Sequence, residues 1–167
     1  MSVEPPTPTG NQFHKKMAVS FFNETWRLLD KPDRTPAEDV RMIHLAHASR
    51  LHWEFLNTPE NQALSEWQVS RVHAVLGQRD SALYHARHSL DIAQRNNLAP
   101  FYLACGHEAM AMAVALTDRQ AALTHIIAAA QKIATDVADP EDEKIFCEDL
   151  SGINVQLKSS RLQKTST

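Results

Sequence analysis

Nine histidines in 167 residues give this chain several places where metal ligation or proton transfer could be arranged, and their spacing decides between them. His44/His47 and His85/His88 each stand three residues apart, so on a helix two imidazoles of either pair can reach one ion. A zinc site needs three or four protein ligands, and no H-E-x-x-H motif is present. After His107-Glu108, Ala111 and Met112 stand where a second histidine would be needed. The spacing therefore predicts no metal and no cofactor. Cys105 lies two residues from His107, which points the two side chains about 200° apart on a helix and removes a Cys–His nucleophile. Gly-x-Ser-x-Gly, a phosphate-cradling glycine loop and a dinucleotide fingerprint are all absent, so no residue is assigned a catalytic role.

What remains is a polar seam. His47, Arg50 and Glu54 follow one another at three- and four-residue steps, so their side chains can meet along one helix. The loop from Asn57 to Asn61 is short, so the helices on either side must run antiparallel and bring Glu66 near Glu54. Two carboxylates in a half-buried seam repel unless cations intervene, and Arg50 and Arg71 are the cations at hand. The expected cluster is His47, Arg50, Glu54 and Glu66 with Arg71, at the junction of the first two hairpins.

The elements that must position these groups are helical. From Asn61 to Asn97 two apolar stripes, Val69/Val72/Leu76 and Ala82/Leu83/Ala86/Leu90/Ala93, flank the turn Gly77-Gln78-Arg79-Asp80 and predict a helical hairpin. Gly77 is expected to take the left-handed conformation that closes the first arm, and Asp80 to cap the second. The hairpin recurs: Gly77…Ala82-Leu83 matches Thr117…Ala122-Leu123 at an offset of 40 residues. Ala86 and Ala129 fall on the resulting small-residue ladder, where close helix crossing requires small side chains. Upstream, a helix from Asn11 carries Phe21, Phe22 and Trp26. A central helix from Ala37 to Leu56 is apolar on two sides, with Val40/His44/Ala48/Leu51/Phe55 on one and Met42/Leu45/Ala46/Ser49/Trp53/Leu56 on the other. Thr35-Pro36, Thr58-Pro59, Ala99-Pro100, Asp118 and Asp139-Pro140 mark helix starts, for about seven helices in all.

The spacing of Gly77, Ala82, Leu83 and Leu90 resembles the second helix of the tetratricopeptide repeat (TPR), whose usual period is about 34 residues. Further, His47-Ala48-Ser49-Arg50-Leu51-His52-Trp53, Thr58-Pro59-Glu60-Asn61, Glu66 through Val72 and Leu83-Tyr84-His85-Ala86-Arg87 resemble a family of small bacterial TPR-like helical-repeat proteins without an assigned activity. That family carries Tyr where His73 stands and Gly where Leu56 stands. The resemblance implies an all-α fold of antiparallel hairpins stacked into a short right-handed superhelix, and lends no mechanism.

Composition is consistent with one domain. Hydrophobic residues make up 43% of the chain, enough for a real core, and no alternating β-branched run reads as a strand. The expected layout is a disordered tail over 1–10, a single TPR-like domain over 11–153 and a flexible tail over 154–167. A net charge of −3 provides no basic face for nucleic acid. No apolar run approaches a membrane span and no signal segment is visible. Cys105 and Cys147 lack C-x-x-C spacing, so a cytoplasmic protein with reduced thiols is expected. If the hairpins stack as TPR helices do, Leu64, Trp67, Gln68, Arg71 and Val75 line a concave groove with His107 and Glu108. An exposed Trp67 beside Arg71 would anchor a protein or peptide partner, or a second copy; the alternative is that Trp67 is core and Arg71 pairs with a structural acid such as Glu54 or Glu108. The leading expectation is a partner-binding scaffold. The alternative is a small enzyme or metal-binding protein using the His/Arg/Glu cluster, and it is favoured if three of His44, His47, Glu54, Glu66, His73 and His107 converge.

Overall fold

The computed structural model describes residues 8–136, which form six α-helices: α1 (Pro8–Leu29), α2 (Pro36–Leu56), α3 (Pro59–Val75), α4 (Arg79–Arg95), α5 (Pro100–Ala115) and α6 (Arg119–Asp136). Among the described residues there is no strand. Helix α1 begins at Pro8, ahead of the expected start at Asn11, so the end of the expected tail belongs to this helix. The helix expected after Asp139 and both remaining tail segments lie outside the described residues.

The helix starts follow local chemistry. Thr35 builds a capping box on α2: its hydroxyl accepts from the Glu38 amide at 3.3 Å, and the Glu38 carboxylate accepts from the Thr35 amide at 2.9 Å. Asp118 caps α6 through one oxygen that accepts from the Gln120 and Ala121 amides, each at 3.0 Å. Gly77 takes φ +71°, as its turn requires. Asp80 does not cap α4. The helix starts at Arg79 with Gln78 at the cap position, two residues earlier than a cap at Asp80 would set, so Asp80 sits inside the first turn, where its charge still complements the helix dipole.

Neighbours in sequence are neighbours in space: α1 packs on α2, α2 on α3, α3 on α4, α4 on α5 and α5 on α6, with α3 also meeting α5. Helices α4 and α6 start 40 residues apart, and the Arg79 Nε donates to Thr117 Oγ1 at 2.9 Å, tying one turn to its counterpart in the next hairpin. This packing is consistent with a helical repeat. Serine hydroxyls reach carbonyls across the crossings, Ser49 to Ala18, Ser70 to Ala82 and Ser89 to Ala63, each at 2.9 Å, so these buried polar groups are satisfied. Gly106 permits the α4–α5 approach, since a Cβ there would stand 2.9 Å from the Leu90 Cα. Ala86 and Ala129 are fully buried in one cluster with Trp67, Ala104, Cys105 and Ala109. Replacing Ala86 with Leu is expected to overpack this cluster at a cost of about 1–3 kcal/mol, read as a lower melting temperature; an unchanged melt would contradict the crossing.

Helix α2 departs from expectation. Met42, Leu45, Ala46, Ser49 and Trp53 are buried, but the opposite stripe faces outward, with Val40 55%, Leu51 53% and Phe55 55% exposed. Among the described helices only α1 and α3 pack on α2, so α2 flanks them rather than standing at their centre. His52 is half-buried: its Nδ1 lies 2.9 Å from that of His14, beside the Phe13 and Phe21 rings.

Acid should weaken the fold. Burial and then the neighbouring His14 hold His52 below the usual histidine range, and burial lowers His125. The unfolded chain therefore takes up protons near pH 6.5 that the folded chain refuses, and stability falls as pH drops below that value. Glu38 adds to the loss at lower pH: hydrogen bonds from Lys31 and then the Thr35 amide pull it from 4.5 to about 2, so its contribution fades as pH falls through that window. Urea midpoints should be lower at about pH 5.5 than at about pH 7.5, with the difference reduced in His52→Gln; a flat profile would contradict this assignment. None of the described helices is long and apolar enough to cross a membrane.

Candidate functional site

Three consecutive helices bring a polar centre together. From α2, Arg50 donates its Nε to Glu66 Oε1 at 2.7 Å and a terminal nitrogen to Glu54 Oε2 at 3.1 Å. The other oxygen of Glu66, on α3, accepts from His85 Nδ1 of α4 at 2.6 Å. His85 stacks on His73 of α3, with centroids 5.6 Å apart and planes within 6°. His47 of α2 meets both rings edge-on, and its Nε2 lies 3.3 Å from that of His73. One nitrogen from each of His47, His73 and His85 falls within 4.8 Å of the other two. Antiparallel packing assembled from three helices what no single helix carries.

The electrostatics bind the group into one unit. Burial pushes the Glu66 carboxyl up, but His85 and Arg50 outweigh it and hold the group below its usual range, so Glu66 is an anion at neutral pH. Burial comes first in lowering both His47 and His73, with the adjacent imidazoles adding to it. These two rings are neutral at pH 7, and a neutral ring offers a lone pair. His73 Nδ1 donates to Gln78 Oε1 at 2.6 Å, and His85 Nδ1 donates to the Glu66 carboxylate. The first of these bonds places the proton of the neutral His73 ring on Nδ1 and leaves its Nε2 with a lone pair. His73 is buried, His85 is half-buried and His47 is exposed, so the centre opens on the His47 side.

Arg71 belongs to a different network. Its guanidinium reaches Glu108 of α5 at 3.0 Å rather than Glu54 or Glu66, and lies 5.2 Å from the Trp26 ring centroid and 5.9 Å from that of Trp67. The Trp67 indole donates to the second oxygen of Glu108. Trp67 is 8% exposed, and Gln68 and Glu108 are fully buried, so these residues do not form an open groove. Helix α1 covers them: Trp26 lies against Trp67 at 5.3 Å, and the Phe22 carbonyl accepts from the Gln68 amide at 2.9 Å. Of the other groove candidates, Leu64 packs against the same core, His107 sits half-buried beside His125, and only Val75 is exposed. His44 stays exposed on α2 and does not join the centre, and Glu54 is at its wet edge with 63% of its side chain exposed.

His85 was the partner that spacing along one helix concealed, yet the chain carries a signal for it. His73 and His85 stand six residues on either side of Arg79, at the hairpin turn, and Arg50 and Glu66 stand eight residues on either side of Thr58. Reflection through a tight antiparallel turn brings each pair face to face. No family model, curated protein or solved structure matches the chain, so its function must be argued from the chemistry of these side chains.

Proposed function

We propose that the chain is a small TPR-like helical-repeat binding protein whose working centre is the cluster of His47, Arg50, Glu54 and Glu66, enlarged by His73 and His85. One observation carries this reading: three imidazoles from three helices converge beside a buried carboxylate, with an opening to solvent at His47. Three rings pressed together beside a buried carboxylate are a poor way to hold helices, because apolar side chains would fill the same space without desolvating polar groups. Such a group is retained for what it binds. Convergence of His47, Glu66 and His73 favours this chemistry over the Trp67 groove, whose anchor residues α1 covers.

The test exploits the conflict between function and stability. His73→Phe should keep or raise the thermal midpoint, by up to the ~0.5–2 kcal/mol that relief of a functional site commonly yields. A midpoint several degrees lower would make the imidazoles structural and overturn the reading.

A second reading, a scaffold that docks a protein partner, is favoured by the bare stripe Val40/Leu51/Phe55 on α2. The occupant is a second copy. With His44 and Ala48 the stripe carries no carboxylate, lysine or arginine, so two copies can meet about a two-fold axis without opposing like charges. Sedimentation should show a dimer that Leu51→Glu with Phe55→Glu reduces to a monomer; a parent chain that stays monomeric at every concentration would dismiss it.

A further inference from the structure

Resting on the reading of the polar centre given above, we infer that its ligand is a single late first-row transition-metal ion, held by the Nε2 atoms of His47, His73 and His85. The geometry points there first. Two imidazole nitrogens at ~2.0–2.1 Å from a tetrahedral ion stand about 3.3–3.4 Å apart. The Nε2 atoms of His47 and His73 are 3.3 Å apart, so one edge of that tetrahedron is already formed. One ring nitrogen of His85 lies within 4.8 Å of one from each of the other two rings, which puts a third ligand within reach of the same ion.

The hydrogen bonds point the same way. A ligating histidine usually donates its other ring N–H to a carboxylate or carbonyl, which fixes the tautomer and raises the basicity of the bound nitrogen. Glu66 does this for His85, and Gln78 does it for His73. His47 is the exposed member of the three. Glu66 is thus a positioning residue, steadied in turn by Arg50 at 2.7 Å.

The donor set selects the ion. Three imidazoles without a thiolate suit zinc, copper, nickel or cobalt(II), whereas magnesium and calcium demand oxygen ligands. Three protein ligands leave the fourth position of a tetrahedral ion open, and the exposure on the His47 side admits water or a small anion there. The competing arrangement is an ordinary hydrogen bond in which His47 Nε2–H donates to His73 Nε2, with no ion between them.

Cobalt(II) is the probe, because its visible absorption intensifies in tetrahedral coordination. The full chain, free of any histidine tag, should bind one cobalt(II) per chain with that spectrum, and zinc should displace it. His47→Ala and His85→Ala should abolish the spectrum, and His88→Ala on the exposed face of α4 should not alter it. Glu66→Gln should keep the stoichiometry and the spectrum but weaken binding by about 10–100-fold, an effect that loss of folding would not imitate. Circular dichroism of each variant separates misfolding from ligand loss. Absence of saturable cobalt(II) binding, or binding that survives His47→Ala and His85→Ala, would overturn the metal assignment. The His73→Phe stability test would still decide independently whether the centre is a functional one.

Discussion

Arg71→Met is expected to lower the stability of the fold by about 3–5 kcal/mol, seen as a large drop in both urea midpoint and melting temperature. The reason lies in the partner left behind. Glu108 is fully buried on α5, and the guanidinium 3.0 Å away is the countercharge that the substitution removes. A carboxylate stripped of its cation in the interior must either stay charged in low dielectric or take up a proton, and both are unfavourable. Arg71 also lies against both the Trp26 and Trp67 rings, so its loss removes two cation–π contacts that link α1 to α3. Replacing both members, Arg71→Met with Glu108→Met, should recover most of the loss, because apolar groups of similar volume often substitute for a buried ion pair at little cost. If Arg71→Met melts like the parent, the clamp is wrong.

Trp67→Ala is expected to cost about 3–5 kcal/mol, the range for emptying a large aromatic site in a core. Trp67 meets Trp26 at 5.3 Å, packs in a cluster with Ala86, Ala104, Cys105, Ala109 and Ala129, and donates to Glu108. The variant therefore loses apolar burial and removes a hydrogen bond from a buried carboxylate in one step. The expectation separates two roles for this residue. An anchor in an open groove would leave the melting temperature nearly unchanged on truncation, whereas a core tryptophan under α1 would not. Chemical denaturation of the purified variant reads the difference directly.

Local sequence carried most of the helix boundaries. Thr35-Pro36 with Glu38, Gly77 before Arg79 and Asp118 before Arg119 act within one helical turn, so their chemistry holds whatever the chain packs against. A helix packing consistent with a repeat was legible for the same reason. Its 40-residue offset and the small residues Ala86 and Ala129 are properties of the chain itself, and their burial at crossings follows once the hairpins stack.

Arg50 and Glu66 were also within reach of sequence, since a short loop dictates antiparallel neighbours and the two residues lie symmetrically about it. The allocation of charges was only narrowed to alternatives. Arg71 had Glu54, Glu66 and Glu108 to choose among, and the choice depends on the rotation of α3 about its axis and on where α5 lies, which no local rule specifies.

The sequence by itself determined that this protein is all-α, where its helices start and which residues sit at helix crossings, because these depend on backbone chemistry and periodicity over a few residues. Only the tertiary structure decided which of the two apolar stripes of α2 is buried and that α1 covers Trp67. It alone joined His47, His73 and His85 beside Glu66. Each of those outcomes turns on contacts between segments far apart in the chain. There the winning arrangement is the one that buries the most apolar surface and leaves the fewest charges unpaired across the whole molecule.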